Sequence, residues 1–486
     1  MATEGEAAVP STSSEAKYGG QEDQQQENAG PSWGRLPAHI ISEIACYLCP
    51  WERVRMAKAC RRWYNGILRS PSLWRSTEVQ LRGNWRDNSE IDYIRYLGQY
   101  LKRLTVCGAI RCHRHTKKFQ RSVTTIFANL YRQGPVQLND LTITEFHFQS
   151  YFRGTSGAFA RAGVIKSMNR FLRQQRKLRA IDLSFNTVTE EEGVSLLSSL
   201  ANARCVTKLE RLNIEEFFKN KEKMYVSVEF VHAVTQFINL RLLVINYSCL
   251  SNELLCGLGN HTNFIGKMER LDVRCSRSDS SDHAIHPSSW QSFKDSFPSV
   301  KVHFRLHSWI KLNDLQRILV SQIPLTDLVI LGHNDDNFQP DRTLRLVARN
   351  YQSVLEKFVI DVSPSYRCYH QSLVTIFKDC TKLNSLELRG RVEWPTLREV
   401  FEHLDERYFK RDSCPELDYF RMTVVAQAAD SYVEEALIFE EYRDKLYQRR
   451  LDYELVVEPQ FFPLPVAYNH DEPFAFQMPG EPIFID

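Results

Sequence analysis

The residues able to do chemistry are few and scattered. Cys46-Tyr47-Leu48-Cys49 has the C-x-x-C spacing of a redox pair or of half a zinc site. No second pair follows at zinc spacing and no thioredoxin-like context surrounds it, so the two read as core thiols. Cys107, Cys112, His113 and His115 offer sulfur and nitrogen ligands, but Arg111, Arg114, Lys117 and Lys118 would repel a cation and the spacing fits no common zinc site. That stretch reads as a solvated loop. The run Cys275 to His283 (CSRSDSSDH) could accept phosphate and change local charge, and reads otherwise as a surface loop. There is no P-loop, no Rossmann glycine fingerprint, no H-E-x-x-H and no G-x-S-x-G in the sequence. The expectation is a protein with no catalytic, cofactor-binding or metal-binding residues.

Composition points the same way. A chain of 486 residues exceeds the ~250–300 over which a single core grows, so it must split or repeat. With 62 Lys+Arg against 59 Asp+Glu the net charge is only +3, which creates no field for a polyanion. No window reaches the ~18 uninterrupted apolar residues of a membrane span, and the N-terminal stretch lacks signal-peptide regions. Twelve dispersed cysteines fit a reducing compartment. These features predict a soluble cytoplasmic and/or nuclear protein without nucleic-acid or membrane partners.

The elements that would position a site come from a repeat. The pattern apolar-x-x-apolar-x-apolar recurs as Leu101/Leu104/Val106, Leu138/Leu141/Ile143, Leu178/Ile181/Leu183, Leu209/Leu212/Ile214, Leu240/Leu243/Ile245 and Met268/Leu271/Val273. It continues as Phe297/Val300/Val302, Leu325/Leu328/Ile330, Leu355/Phe358/Ile360, Leu383/Leu386/Leu388 and Leu417/Phe420/Met422. Successive copies begin between 28 residues apart (Leu240 to Met268) and 40 apart (Leu138 to Leu178), at or above the ~20–29 of leucine-rich repeats. The copy starting at Leu178 also carries the terminal Asn186. Helical apolar spacing at Glu191 to Ala201, Ser227 to Phe237, Leu312 to Ile323 and Ser372 to Cys380 supplies return helices. Strand, helix, strand at this period predicts a solenoid with a parallel sheet on its concave side and helices outside. An ordinary doubly wound α/β domain would not hold so short a period for so long.

Before the repeats, residues 36 to 74 read LPAHIISEIACYLCPWERVRMAKACRRWYNGILRSPSLW, with helical stripes at Ile40, Ile41, Ile44, Leu48 and at Met56, Cys60, Trp63, Ile67. Leu36-Pro37, the first stripe, Ala59 to Trp63 and Leu73-Trp74 together resemble an F-box. One departure is Pro50-Trp51-Glu52, where many F-boxes have an acidic residue and Leu. An F-box followed by leucine-rich repeats is similar to the substrate receptors of SCF ubiquitin ligases. That resemblance implies Skp1, Cul1 and a RING subunit as partners through the F-box, and an unknown protein substrate on the repeats. It further implies adaptor contacts at Leu36, Pro37, Ile40, Ile41, Ile44, Leu48, Cys60, Trp63, Leu73 and Trp74, with internal core as the competing role for Cys60, Trp63 and Trp74. A module of about 40 residues is too small to be robustly stable alone, which agrees with a partner completing its apolar stripes. The segments at Leu212 to Phe218, Asn246 to Leu255 and Arg317 to Leu331 resemble the F-box only protein 39 and 33 group. A leucine-rich scaffold outside any ligase is the alternative.

The expected organisation is α/β: a disordered tail over 1–32, an all-helical F-box over 33–78, the solenoid over 79–429, a capping helix region over 430–457 and a Pro/Phe-rich tail over 458–486. On the presumed concave face the third and fifth repeat positions mix signs: Arg103, Asp140, Arg211, Arg270, Asp327, Lys357, then Asp182, Asp272, Lys301, Glu387 and Arg421. No basic track exists for phosphates to follow, and no arginine cluster marks a phosphate reader on that face. The less polar cluster Val329, Leu331 and Val359, flanked by Asp327, Lys357, Asp361, Glu387 and Arg389, is the expected substrate-docking site. The C-terminal aromatic tail covering it is the competing expectation.

Overall fold

The computed structural model describes residues 33–81, 89–108, 116–132, 136–148, 152, 154–221, 224–260, 267–275, 283–307, 311–332, 339–362, 368–369, 371–409, 417, 419–425, 433, 436–443 and 452–456. The tails expected over 1–32 and 458–486 lie outside the described residues, as do Cys112, His113, His115 and the interior of the Ser/Asp-rich run. The chain divides into two compact units between Thr77 and Glu78.

The first unit is built from α1 (Ala38–Cys46), α2 (Pro50–Ala57) and α3 (Arg61–Leu68), closed by a 3-10 turn over Pro71–Trp74. The Pro50-Trp51-Glu52 departure has a local reason. Proline at the first helical position has its φ preset and no N–H to leave unpaired. Glu52 Oε2 then accepts the Cys49 backbone N–H at 2.9 Å, which starts α2 cleanly. That bond from the Cys49 backbone holds the Glu52 carboxyl below its ordinary range.

The second unit is one sheet in which the strands follow each other in chain order. The sheet begins with β1 (Ser76–Gln80), which straddles the division between the units, then β2 (Arg103–Cys107), β3 (Asp140–Thr144), β4 (Ala180–Asp182), β5 (Arg211–Asn213), β6 (Leu242–Asn246) and β7 (Arg270–Cys275). It continues through β8 (Lys301–His307), β9 (Leu325–Gly332) and β10 (Lys357–Val362), with β11 (Cys368–Tyr369) paired on the side to β12 (Ser385–Val392), and then β13 (Tyr419–Val425) and β14 (Asp452–Val456). Every pair from β2 to β14 along this path is parallel. The eleven expected repeat copies coincide with β2–β10, β12 and β13, and helices occupy the connections. This is an α/β repeat solenoid.

Alternation of burial along each strand follows from the two-residue period of the backbone. Leu104, Val106, Leu141, Ile143, Leu271, Val273, Phe358, Ile360, Leu386 and Leu388 are buried, while the residues between them stay half-exposed or exposed. The buried side faces the helices: the rings of Trp290 and Phe304 lie 6.3 Å apart, and those of Phe377 and Phe420 6.2 Å apart. Among the described residues, the half-exposed and exposed side chains make up the opposite, open face.

Two expectations change here. The region 430–457, expected as a capping helix, has helical residues at 436–443 but ends in β14, which extends the sheet through Met422↔Tyr453 and Val424↔Leu455. In the copy Phe297/Val300/Val302, the partner of Leu271 is Val302 and that of Val273 is Phe304, so the repeat sits two residues later than its sequence pattern places it. Val300, Val302, Phe304 and Leu306 are all buried, and a slip of two residues keeps every side chain on its own face. A second irregularity follows at once: Val302 pairs with Leu325 but His303 pairs with Asp327.

The turns leaving β3, β4 and β5 hold Glu145, His147, Phe185, Thr187 and Glu216 at positive φ. Asn186 fastens two of these turns. Its side-chain amide donates to the Ile143 and Leu183 carbonyls at 2.7 and 2.8 Å, and its oxygen accepts the Phe146 N–H at 3.1 Å.

Candidate functional site

The helical unit divides its apolar residues between a core and a surface. Successive helical residues are rotated by about 100°, so Ile40 and Ile41 stand at opposite edges of the apolar stripe. Ile41 and Ala45 turn inward and are fully buried. Gly66 brings α3 close: a Cβ there would stand 3.2 Å from the Ile41 Cγ2, and Ser42 Oγ donates to the Gly66 carbonyl at 3.0 Å. Trp74 is buried and donates its indole N–H to the Ile67 carbonyl at 2.9 Å. Leu73 is buried beside it. Ile41, Leu73 and Trp74 are therefore core residues, which departs from the adaptor contact expected of Ile41 and Leu73 and is the competing core role for Trp74.

Leu36, Ile40, Ile44, Leu48 and Trp63 are half-buried, and Pro37 and Cys60 are exposed. Ile40, Ile44 and Leu48 recur every fourth residue and run along one side of α1 and just past its end. Trp63 donates to the Trp33 carbonyl at 3.0 Å. Four aromatic side chains that no periodicity singles out also stand outside: Trp33, Tyr47 (84 % exposed), Trp51 and Tyr64. The Arg55 guanidinium lies 3.3 Å from the Trp51 ring centroid. Cys46 and Cys49 are exposed, not core thiols, because they flank the corner between α1 and α2.

Arg53 holds this unit together, and no motif marks it. Its Nε donates to the Ala45 carbonyl at 2.8 Å, Nη2 to Cys46 at 3.2 Å and Nη1 to Leu73. The guanidinium thereby adds a charged donor to the last carbonyls of α1, that of Ala45 also accepting the Leu48 N–H at 3.2 Å. It also lies 5.9 Å from the Trp74 ring centroid.

On the open face of the sheet, register decides which side chains meet. Val329 pairs across to Val359 and Leu331 to Asp361, while Val359 pairs onward to Glu387 and Asp361 to Arg389. Arg305 of β8 stands on the other side of Val329. All eight expected docking residues thus lie on adjoining strands, with Val329, Leu331 and Val359 half-exposed and Lys357 and Arg389 exposed. Asp327 pairs across its row to Lys357 on one side and to His303 on the other.

That row contains Asp272–His303–Asp327, created by the register of β8. His303 Nε2 lies 3.0 Å from Asp327 Oδ2, and its Nδ1 lies 3.6 Å from Asp272 Oδ1. Arg270 grips Asp272 through two bonds of 2.6 and 2.8 Å. Burial alone would raise the Asp327 carboxyl, but the His303 bond and charge, the Thr326 hydroxyl and Arg270 outweigh it and hold it below its ordinary value. A depressed carboxyl favours the folded state above the unfolded pKa of about 3.9, and that contribution disappears as pH falls through the folded value. Asp327→Asn is therefore expected to flatten the loss of stability below about pH 4, checked by urea unfolding across pH 3 to 7. An unchanged acid limb would remove Asp327 from the cause. His303 escaped the sequence reading because the pattern placed Lys301 in its row.

Cys107 is the one described member of the Cys/His group that the sequence reads as a solvated loop and not as a metal site. It donates to Glu145 at 3.3 Å, and burial with that carboxylate pushes its thiol up to about 11, away from the thiolate a metal needs. No described helix is long and apolar enough to cross a membrane.

Residues 33–78 match the F-box-like family. The chain is also similar to F-box/LRR-repeat protein 21 of Bos taurus, 24% identical over 298 residues, and to the proteins of the same name from Mus musculus (22%) and Ovis aries (23%). Each alignment covers 61% of this chain and 64% of the relative's length, just under two thirds. The chain thus carries an F-box-like domain and is distantly related to F-box proteins with leucine-rich repeats.

Proposed function

We propose that this chain is the substrate-recognition subunit of an SCF-type ubiquitin ligase. Residues 33–78 hold Skp1, and through it Cul1 and a RING subunit, while the open face of the sheet holds the protein to be ubiquitinated. The observation that carries the reading is the joining of an F-box-like domain, with Ile40, Ile44 and Leu48 only half-buried, to a long parallel sheet with one face open among the described residues. The chain contributes no reacting group. It acts by holding target lysines near a ubiquitin-charged partner, converting an encounter between molecules into one within a complex.

Adaptor contact falls to Leu36, Pro37, Ile40, Ile44, Leu48, Cys60 and Trp63. Substrate contact falls to Val329, Leu331 and Val359 with Asp327, Lys357, Asp361, Glu387 and Arg389 around them, an apolar patch rimmed by both signs of charge. The resemblance of the segments Leu212 to Phe218, Asn246 to Leu255 and Arg317 to Leu331 to the F-box only protein 39 and 33 group supports membership of that group as part of this proposal, with the cytoplasm, the nucleus or both as the place of work.

Tagged full-length protein is expected to co-purify Skp1, Cul1 and a RING subunit, and Leu36→Ala/Pro37→Ala combined with Ile44→Glu to lose them at least tenfold while melting within a few degrees of the parent. Recovery of no adaptor by the parent protein would leave a scaffold outside the ligase. Retention by the variant would move the contact off α1.

A further inference from the structure

The N-terminal ends of β3, β4 and β5 enclose a recess of about 530 Å³ lined by Asn139, Asp140, Lys177, Arg179, Lys208, Glu210 and Arg211. Four cationic side chains against two carboxylates leave an excess of positive charge, in a chain that is otherwise nearly neutral. The recess belongs to neither the helical unit nor the apolar patch near Val329.

The two carboxylates anchor the two arginines. Arg211 Nη2 donates to Asp140 Oδ1 at 3.0 Å, and Arg179 Nη1 stands 3.6 Å from Glu210 Oε1. In register Asp140 lies beside Ala180 and Ala180 beside Arg211, so the arginine spans a whole strand, over a residue small enough to leave its path clear. Both arginines remain more than half exposed, and each guanidinium keeps further N–H groups to offer.

The lysines are not neutralised in this way. Lys208 Nζ is held by the Arg176 backbone carbonyl at 3.2 Å, an uncharged acceptor, and among the described residues Lys177 has no carboxylate partner. Backbone amides are already used: those of Arg179 and Ala180 go to the Asn139 carbonyl, and those of Glu210 and Arg211 to the Arg179 carbonyl. Any anion here must be read by side chains, two oriented guanidinium forks and two ammonium groups, a set suited to phosphate or carboxylate oxygens.

We propose that this recess binds an anionic segment of a partner protein, its phosphoserine or glutamate side chains seated between Lys177, Lys208 and the two arginines. The site deepens the receptor reading, and rests on it for the identity of the partner as a captured substrate. The volume admits one or two side chains of a passing peptide, not a folded domain. Lys177 and Lys208 are both exposed, and substitutions of exposed side chains away from the core change stability little, so replacing the lysines leaves the unit intact.

The test uses full-length protein with its adaptor and three fluorescent peptides of one Gly/Ser-rich scaffold, carrying two phosphoserines, two glutamates or two plain serines. The phosphoserine peptide, the glutamate peptide or both are expected to bind in a salt-sensitive manner, at least tenfold more tightly than the serine peptide. Lys177→Glu/Lys208→Glu is expected to weaken that binding at least tenfold, while the control Lys294→Glu/Lys311→Glu changes it less than twofold. Binding of phosphoserine alone would identify phosphorylation as the source of the charge, and binding of both a constitutively acidic segment. Equal binding of all three peptides, no binding, or equal loss in both variants would overturn the site. Adaptor retention is measured in the same samples: peptide binding without adaptor sinks the receptor reading and leaves the recess, and adaptor without peptide binding does the reverse.

Discussion

Asn186→Ala is expected to lower the unfolding free energy of the repeat unit by about 3–5 kcal/mol, among the largest effects of any single substitution here. The side chain is fully buried and serves three backbone groups on two successive repeats. Alanine would leave the Phe146 N–H and the Ile143 and Leu183 carbonyls without it, and water cannot easily reach them. Each such loss costs about 1–3 kcal/mol when the group stays buried. The cost is raised by what Asn186 holds in place, since Glu145, His147, Phe185 and Thr187 all sit at positive φ, a conformation non-glycine residues adopt only under restraint. Asn186→Asp gives no rescue, because a carboxylate accepts from Phe146 but faces two carbonyl oxygens with nothing to donate. Urea midpoints measure the loss, and hydrogen exchange at Phe146 and Val188 locates it. A midpoint equal to that of the parent would show that the turns hold themselves.

Arg53→Met is expected to unfold the helical unit and abolish adaptor recovery while the repeat unit keeps its own transition. One guanidinium supplies three carbonyls from the end of α1 and from Leu73, and methionine keeps much of the stem but no donor. Bonds from a charged donor contribute about 1.5–3 kcal/mol each, and a unit this small has only a few kcal/mol in all. Arg53→Lys should fail as well, since a single ammonium cannot reach three carbonyls in the fork geometry of arginine. Exchange of the α1 and α3 amides at the solvent rate, with β6 to β9 still protected, is the expected pattern. Full protection of α1 in the variant would assign the stability of the unit to its apolar core alone.

The sequence by itself determined the repeat, because burying one face of each strand forces an apolar residue at every second position, and eleven strands repeat that demand. It determined the helical unit too, since Leu36-Pro37, the α1 stripe and Leu73-Trp74 stand in a recognisable order. It could not divide that stripe. Ile40 and Ile41 are equally apolar, and only the close approach of α3 at Gly66 makes one core and leaves the other at the surface. Tertiary structure alone decided the register of β8, since alternation survives a slip of two residues, and with it the meeting of His303 with Asp272 and Asp327. The roles of Arg53 and of the cationic recess were likewise invisible. A charged side chain carries no periodic signal, and Lys177, Arg179, Lys208 and Arg211 become neighbours only when parallel pairing lays the starts of successive strands side by side.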